Sequence, residues 1–346
     1  MTVSLGIIAY NEEKYLDGIF TDLSNQDFDH NKIEVVLIDS MSTDLTGVMM
    51  RDFSEREKSF MRIKVVENTK KTQPCGWNVF INNAEGDILI RWDAHARFAP
   101  DFISESVRCI ESGEDICGGI RPCITDEDTP YKNTLLLAEN SLFGSSFAPY
   151  RRSSEKKYVN SVFHGTYRRA AVEKVKGFDE RLIRTEDNDF HYRLREAGYK
   201  ICFNEKIRSE QIMRASFPKM LKQKYANGKW IGMTTSVQPK CLELYHFVPF
   251  CFVVGIIVTT IFACFGIWQF SAIMWGLYLL VNIAMSATSI IRNKNFHISQ
   301  LLLPVMFLLL HISYGIGTLI GFLKIPFWKE RKNERFFSQA TPGKKS

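Results

Sequence analysis

The sequence predicts an α/β domain, a mostly parallel sheet with helices on both faces, followed by a C-terminal α-helical membrane module. Three observations lead there. Short apolar runs rich in β-branched residues alternate with helically spaced segments through the first part of the chain. Residues 244–291 and 295–323 contain no Asp, Glu, Lys or Arg, and both runs are long enough to cross a bilayer. From Cys241 onward nine Lys/Arg face three Asp/Glu, which accounts for the whole net charge of +6 and leaves the first 240 residues electroneutral. An electroneutral N-terminal part argues against a nucleic-acid binder, whereas a basic membrane-proximal part suits anionic headgroups. A chain of 346 residues accommodates one large soluble domain and a smaller module.

The first strand is expected at residues 3–9, a short run that leads directly into polar Asn11-Glu12-Glu13 and so reads as a buried strand rather than a secretory signal. Residues 13–23 carry Leu16, Ile19, Phe20 and Leu23 at helical spacing, and residues 34–39 return as a strand, completing a β-α-β unit. A helix over 45–53, a strand over 63–67, a helix over 76–84 and a strand over 87–93 continue the cycle. Continuous apolar strands alternating with amphipathic helices imply a sheet covered on both faces. Ligands of such sheets lie beyond the carboxyl ends of the strands, where Tyr10-Asn11-Glu12, Asp39-Ser40 and Asp93-Ala94-His95 fall.

Further on, a Gly177-Phe178-Asp179-Glu180 turn precedes Arg184-Thr185-Glu186-Asp187-Asn188-Asp189, and a helix runs on through His191, Leu194 and Arg195. A carboxylate in such a cluster is tuned by its neighbours and suits general-base work. Asp187 is the preferred base and Asp189 its rival; one of these acids is equally suited to capping the helix. Phe163-His164-Gly165-Thr166 offers His164 and Gly165 as substrate-pocket residues, with a satisfied strand histidine as the competing explanation. The stretch 135–157 ends in a charge run that reads as a solvated loop.

From Arg214 to Lys240 the chain has six Lys/Arg and no acid, and Phe217, Leu221 and Tyr225 recur every four residues. That pattern fits a helix lying in the membrane interface, or a surface helix packed on the soluble domain. Residues 247–268 and 272–291 read as a helical hairpin turning at Gln269-Phe270-Ser271, with Arg292-Asn293-Lys294 returning the chain to the cytoplasm. Residues 301–323 form a third apolar segment, interrupted by Pro304 and Gly315, Gly317 and Gly321. One crossing there sends the six cationic residues after 328 to the far side, against the positive-inside preference. A broken, re-entrant third segment, a deeper interfacial helix and a failure of the charge rule are the three ways out. His311 inside this run needs a polar partner, either a lipid diphosphate or a neighbouring helix.

The chain has no Gly-x-Gly-x-x-Gly and no Walker-type Gly-Lys-Ser/Thr, the two common phosphate-cradling loops. A divalent metal held by Asp93 and His95 is the economical alternative for neutralising a diphosphate, and carboxylate with imidazole suits Mn²⁺ or Mg²⁺. The eight cysteines are scattered without zinc spacing and read as reduced thiols.

Ala9-Tyr10-Asn11-Glu12-Glu13, Asp39-Ser40-Met41-Ser42-Thr43-Asp44, Asp93-Ala94-His95 and Thr185-Glu186-Asp187 resemble, in order and spacing, the motifs of family 2 inverting glycosyltransferases of the GT-A fold. The resemblance spans roughly residues 1–230. It extends to membrane-bound glucosyltransferase-like enzymes of exopolysaccharide and capsule clusters, which share Asp-Ala-His and a His-x-Ser-Tyr-Gly segment, here His311-Ile312-Ser313-Tyr314-Gly315. Together with the charge and hydropathy pattern it gives a nucleotide-sugar-binding domain over 1–213, a basic interfacial segment over 214–240, a membrane module of about three apolar segments over 241–328 and a basic tail over 329–346.

By the same resemblance, Ala9, Tyr10 and Glu12 line the nucleotide pocket and Asp39 contacts base or ribose. Asp93 reaches the donor sugar and, with His95, the metal; Asp187 is the catalytic base and Glu186 its neighbour; Lys229 and Trp230 touch the diphosphate or the acceptor. His95 stands where many relatives carry a second aspartate. The Gln-x-x-Arg-Trp of processive synthases is absent, its nearest match being Gly228-Lys229-Trp230 after Gln223-Lys224-Tyr225, which favours transfer of a single sugar. The expected enzyme is a multi-pass cell-membrane protein with a cytoplasmic catalytic domain. It takes a nucleotide sugar, expected to be a UDP-sugar, and a polyprenyl-diphosphate-linked saccharide acceptor. A polyprenyl-phosphate sugar synthase is the close alternative, and a non-catalytic scaffold with this fold the remote one. An inverting displacement requires no covalent nucleophile, in keeping with the absence of a recognisable nucleophile triad.

Overall fold

The computed structural model describes residues 1–144, 157–213, 216–293 and 295–331. The charge run 150–157, Arg214, Lys294 and most of the tail from 329 therefore lie largely outside the described residues.

The first half follows the alternation in the sequence: β1 (Val3–Ala9), α1 (Glu13–Ser24), β2 (Ile33–Asp39), α2 (Thr46–Arg56), β3 (Arg62–Glu67), α3 (Gln73–Asn83) and β4 (Ile88–Asp93). These strands stand in the order β3-β2-β1-β4, all parallel. Their register is what builds a site. Ala9 pairs with Asp39, and Ile8 with Asp93, so three polar chain ends emerge at one level of one sheet edge. Val3, Leu5 and Ile7 point to a core shared with Leu16, Ile19 and Leu23 of α1. Val36, Ile38 and Leu89 point to the other face, against Trp77 and Phe80 of α3.

Beyond β4 come β5 (Ala96–Phe98), α4 (Phe102–Glu111), β6 (Ile116–Ile120), β7 (Cys123–Thr125), α5 (Pro130–Asn140), β8 (Tyr158–Val159), β9 (Thr166–Arg168), α6 (Arg169–Lys174), α7 (Glu186–Glu196) and β10 (Ile201–Met213). Here the sheet becomes mixed. β9 lies antiparallel between β4 and β6, and β10 runs parallel to β6 and β7 but antiparallel to β5 and β8. Phe190 and Leu194 on α7 join the core under β4, which sets the start of α7 beside the end of that strand.

Then follow α8 (Phe217–Thr234), α9 (Val248–Cys264), α10 (Gln269–Arg292) and α11 (Leu303–Lys324). Three helices in this part, Leu244–Cys264, Gln269–Arg292 and Ile298–Trp328, are long and apolar enough to cross a membrane. The hairpin turns one step earlier than its polar residues indicate: Gly266 adopts φ +87°, and Gln269, Phe270 and Ser271 already belong to α10. The third segment is unbroken. Pro304 occupies the first turn of α11, where its missing N–H costs nothing, and the glycines stay helical.

Those glycines serve a close helix crossing. A Cβ on Gly317 would meet the Tyr225 carbonyl oxygen at 2.2 Å, and one on Gly321 the Lys229 oxygen at 2.2 Å and Gly232 Cα at 3.0 Å. The stripe expected to enter lipid is thus partly occupied within the protein, since Phe217 and Leu221 of α8 pack with Leu303, Met306, Phe307 and Leu310 of α11 and Leu135 and Ala138 of α5. Tyr225, Lys219 and Lys222 remain exposed. A buried Lys224–Glu139 ion pair at 3.1 Å also ties α8 to α5. His311 bonds within the protein, through Tyr278 OH at Nδ1 (3.0 Å) and the Phe143 carbonyl at Nε2 (2.6 Å), which is the helix-to-neighbour bonding rather than the lipid contact.

Candidate active site

The ends of β1 and β2 are latched to each other. Asn11 and Met41 hold left-handed φ values of 55° and 61°, a conformation that non-glycine residues adopt at a cost of about 1–3 kcal/mol unless their surroundings enforce it. Cross-loop bonds enforce it for Asn11: its N–H donates to Ser42 Oγ (3.0 Å) and its Oδ1 accepts from Thr43 N (2.8 Å), while the Glu12 N–H donates to Thr46 Oγ1 (2.8 Å). Asp39 Oδ1 accepts from Ser42 N at 2.9 Å, and the Ala9 carbonyl accepts from Ser40 N at 2.9 Å. Tyr10 stands half-exposed at this rim while Ala9 and Glu12 are buried.

At the end of β4, Asp93 is buried and His164 Nε2 stops 3.7 Å from its Oδ2, beyond a full hydrogen bond. Burial opposes ionisation of Asp93, but the His164 imidazole, then His95 and Arg91, outweigh it and hold the carboxyl well below the usual carboxylate range. Burial keeps His164 itself below the usual imidazole range, and its Nδ1 is bonded to Ser209 Oγ at 2.7 Å. His164 is thus buried between Ser209 and Asp93, and its Nε2 has no hydrogen-bond partner among the described residues. Gly165 is small for a packing reason, because a Cβ would lie 2.1 Å from the Tyr167 hydroxyl. His95 sits beside Glu12 (Nδ1 to Oε1, 3.9 Å) with Gln211 Nε2 3.1 Å from its Nε2.

Asp187 lies in the first turn of α7, with Glu186 and Asp189, where carboxylates favour the positive end of the helix dipole. Its Oδ1 accepts from Arg91 Nη1 at 2.5 Å. Arg91 is two residues before Asp93 on β4, so both side chains leave the same face. The guanidinium is buried over the rings of Trp77 (4.2 Å) and Phe178 (5.0 Å). Burial opposes its charge, but Asp187 outweighs that and holds the Arg91 pKa above its ordinary value. Burial, then the neighbouring Asp187 charge, pushes the Glu186 carboxyl well above the usual range and favours its protonated form. Asp189 is committed elsewhere, in a 2.8 Å pair with Arg193 Nε, whose other nitrogens bond Val175 O and Gly177 O.

The α8 helix holds this corner from behind. Thr185 Oγ1 and Thr234 Oγ1 lie 2.6 Å apart, and Arg184 Nη1 donates to Asn227 Oδ1 at 3.0 Å. Lys229 and Trp230, both expected at the substrate, lie on α8 just before Thr234, whose Oγ1 also donates to the Trp230 carbonyl at 2.7 Å. Lys229 sits beside Lys324 of α11, with burial and that neighbour lowering its pKa, and Trp230 packs edge-on against Trp328.

Sequence reasoning missed Arg91 and Thr234. A single arginine inside the otherwise apolar run Ile88-Leu89-Ile90-Arg91-Trp92 was the available signal for the first, because a charge in a doubly covered strand requires a partner. Nothing in the sequence marked Thr234.

Among the described residues no three His, Cys, Asp or Glu side chains converge on one point. Asp93 and His95 alone offer one ionised oxygen donor and one imidazole. That pair fits a hard divalent ion only if most of its ligands come from substrate and water.

The family model described as glycosyl transferase family 2 matches residues 4–176, and that of glycosyl transferase family group 2 matches residues 92–311. The chain is a family 2 glycosyltransferase. It is similar to the dolichyl N-acetyl-alpha-D-glucosaminyl phosphate 3-beta-D-2,3-diacetamido-2,3-dideoxy-beta-D-glucuronosyltransferase of Methanococcus voltae, at 26% identity over 93% of this chain and 97% of that protein. It is also similar to the succinoglycan biosynthesis protein ExoA of Rhizobium meliloti (strain 1021), at 26% identity over 56% of this chain and 58% of that one. The mannosyltransferase PcManGT from Pyrobaculum calidifontis, solved with GDP-Man and Mn²⁺, shares the fold with a TM-score of 0.52 and 17% identity, covering 96% of this chain and 88% of its own.

Proposed function

We propose that this enzyme transfers one sugar from a nucleotide sugar, a UDP-sugar by preference, to a hydroxyl of a lipid-linked saccharide, inverting the anomeric centre, in surface polysaccharide assembly. The observation that carries the reading is the pairing of Arg91 on β4 with Asp187 on α7, which holds a solvent-reachable carboxylate against β4 two residues before Asp93, near the edge where β1, β2 and β4 end. Asp187 takes the proton of the acceptor hydroxyl as its oxygen bonds to the anomeric carbon, and the bond to the nucleoside diphosphate breaks on the opposite face. In this reading Ala9, Tyr10, Glu12 and Asp39 receive the nucleotide in the latched rim, and Glu186, favouring its protonated form, would donate a hydrogen bond to the donor sugar.

Asp93 and His95 would hold the metal, Mn²⁺ or Mg²⁺. When bound, such an ion neutralises charge on the diphosphate. The lipid-linked acceptor is supported by the three apolar helices, which α8 joins to the catalytic corner, and by the M. voltae relative, whose name gives a dolichyl-linked sugar phosphate as acceptor. We place the catalytic half on the cytoplasmic side, where nucleotide sugars are made.

The test incubates membranes carrying the chain with a panel of nucleotide sugars and three acceptors: a polyprenyl phosphate, a polyprenyl-phosphate-linked sugar and a polyprenyl-diphosphate-linked saccharide. Product on a saccharide hydroxyl, lost in Asp187→Asn, supports the reading. Product on the bare lipid phosphate, retained in Asp187→Asn, replaces it with a polyprenyl-phosphate sugar synthase, whose acceptor is already ionised and needs no base.

A further inference from the structure

We propose that Arg91 is the positioning residue for the base: it fixes one oxygen of Asp187 so that the other is presented to the acceptor hydroxyl. This rests on Asp187 being the base. The contact is one-armed. Arg91 Nη1 reaches Asp187 Oδ1, and among the described residues Asp187 Oδ2 takes no hydrogen bond while the side chain stays 23% exposed, against 5% for Arg91.

An arginine serving stability alone is best used as a fork, with two parallel bonds to one carboxylate. Arg91 instead leaves its buried Nε without a hydrogen-bond partner among the described residues, a deficit that invites a functional explanation. Its plane is fixed by the Trp77 and Phe178 rings. Phe178 is in turn held by Asn78, whose Oδ1 accepts from Phe178 N (2.8 Å) and whose Nδ2 donates to Phe178 O (2.9 Å). The Tyr167 hydroxyl, beside the guanidinium, is engaged by His191 Nε2 at 2.8 Å, and His191 Nδ1 by Ser161 Oγ at 2.9 Å, which removes competing freedom from that side. A carboxylate at the start of a helix otherwise rotates freely about its last bond. One oriented lone pair within about 3 Å of the acceptor is what proton transfer requires.

Purified full-length enzyme in lipid nanodiscs tests this through kcat and donor KM of wild type, Arg91→Gln, Arg91→Lys, Asp187→Asn and the Arg91→Gln/Asp187→Asn pair. Binding of the nucleoside diphosphate serves as the fold check. Arg91→Gln should lower kcat by about 30-fold or more with donor KM within about threefold, and Arg91→Lys should recover roughly tenfold of that loss. The double variant should fall no more than about threefold below Asp187→Asn, because residues acting as one unit lose their effect together. Arg91→Gln within threefold of wild type, or losses that multiply in the double variant, overturns the proposal. If the Gln variant does not fold, Arg91→Lys still decides: wild-type kcat there overturns it, and a kcat loss of about threefold at constant KM supports it. If Asp187→Asn alone keeps wild-type activity, the base assignment fails, and the positioning role falls with it whatever Arg91→Gln shows.

Discussion

The crossing of α8 and α11 offers a perturbation whose size follows from the distances between the two backbones. A methyl group on Gly317 would lie 2.2 Å from the Tyr225 oxygen and 3.0 Å from the Lys229 nitrogen, and one on Gly321 2.2 Å from the Lys229 oxygen. Each obstacle is backbone, so no side chain can swing aside. Ordinary contact requires the helices to separate by about 1 Å, a gap at which neighbouring atom pairs forfeit a quarter to a half of their dispersion energy. Overpacking of this kind costs about 1–3 kcal/mol per site. Gly276 on α10 is the control, because a Cβ there would meet nothing within 4 Å.

The separation also reaches the active site, because Thr234 and Asn227 on α8 hold Thr185 and Arg184, the residues leading into Asp187. Gly317→Ala and Gly321→Ala should therefore each lower the thermal midpoint in nanodiscs and reduce kcat several-fold, whereas Gly276→Ala should do neither. Scanning fluorimetry and a radiolabelled-sugar transfer assay on the same preparations read both. Midpoints and rates for all three variants within error of wild type would refute the claim that backbone proximity at this crossing supports the catalytic corner.

Asp93→Ala should weaken donor binding and the response to added Mn²⁺ together, and His95→Ala should do so more mildly; isothermal titration with the nucleoside diphosphate, with and without metal, checks both. Wild-type activity that survives a chelator unchanged would show that no metal is required. Glu34, buried at the other end of the sheet, gives a pH prediction independent of the site. Burial would raise its carboxyl, but Ser4 Oγ (2.5 Å), Lys64 Nζ (2.9 Å) and the Glu85 N–H (2.7 Å) outweigh burial and hold it below the ordinary value of 4.5. A depressed acid contributes stability that is present above its unfolded pKa and lost as pH falls through the folded one. Glu34→Gln should thus destabilise the protein at pH 7, with the difference from wild type shrinking below about pH 4 in thermal melts.

The alternation β1-α1-β2-α2-β3-α3-β4 was legible because β1, β2 and β4 are buried along nearly their whole length and read as near-continuous apolar runs, while the edge strand β3 keeps Ile63, Val65 and Val66. β9 was not. Its three residues, Thr166, Tyr167 and Arg168, carry too little pattern, and only tertiary pairing with β4 and β6 makes them a strand. β10 escaped for the opposite reason, since Asn204, Glu205 and Lys206 interrupt it at a register shift between Phe203 and Arg208. The polar chain ends at Asp39, Asp93 and His95 could be placed from strand order alone. The partners that set their chemistry lie far off in sequence: Arg91 is 96 residues from Asp187, and Thr185 is 49 from Thr234. Lys324 and Trp328, the neighbours of Lys229 and Trp230, could not be read from the sequence, because a basic aromatic segment before a membrane helix looks the same whatever it faces.

Removal of the acceptor proton by Asp187 is the central step of the proposed mechanism. Transfer by Asp187→Asn, measured beside direct binding of the donor nucleotide, tests it most directly, because the amide keeps the shape of the carboxylate and cannot take the proton. A base at this position predicts a loss of about 10²- to 10⁴-fold in kcat with donor affinity nearly unchanged. Transfer within about threefold of wild type on a saccharide acceptor would contradict it.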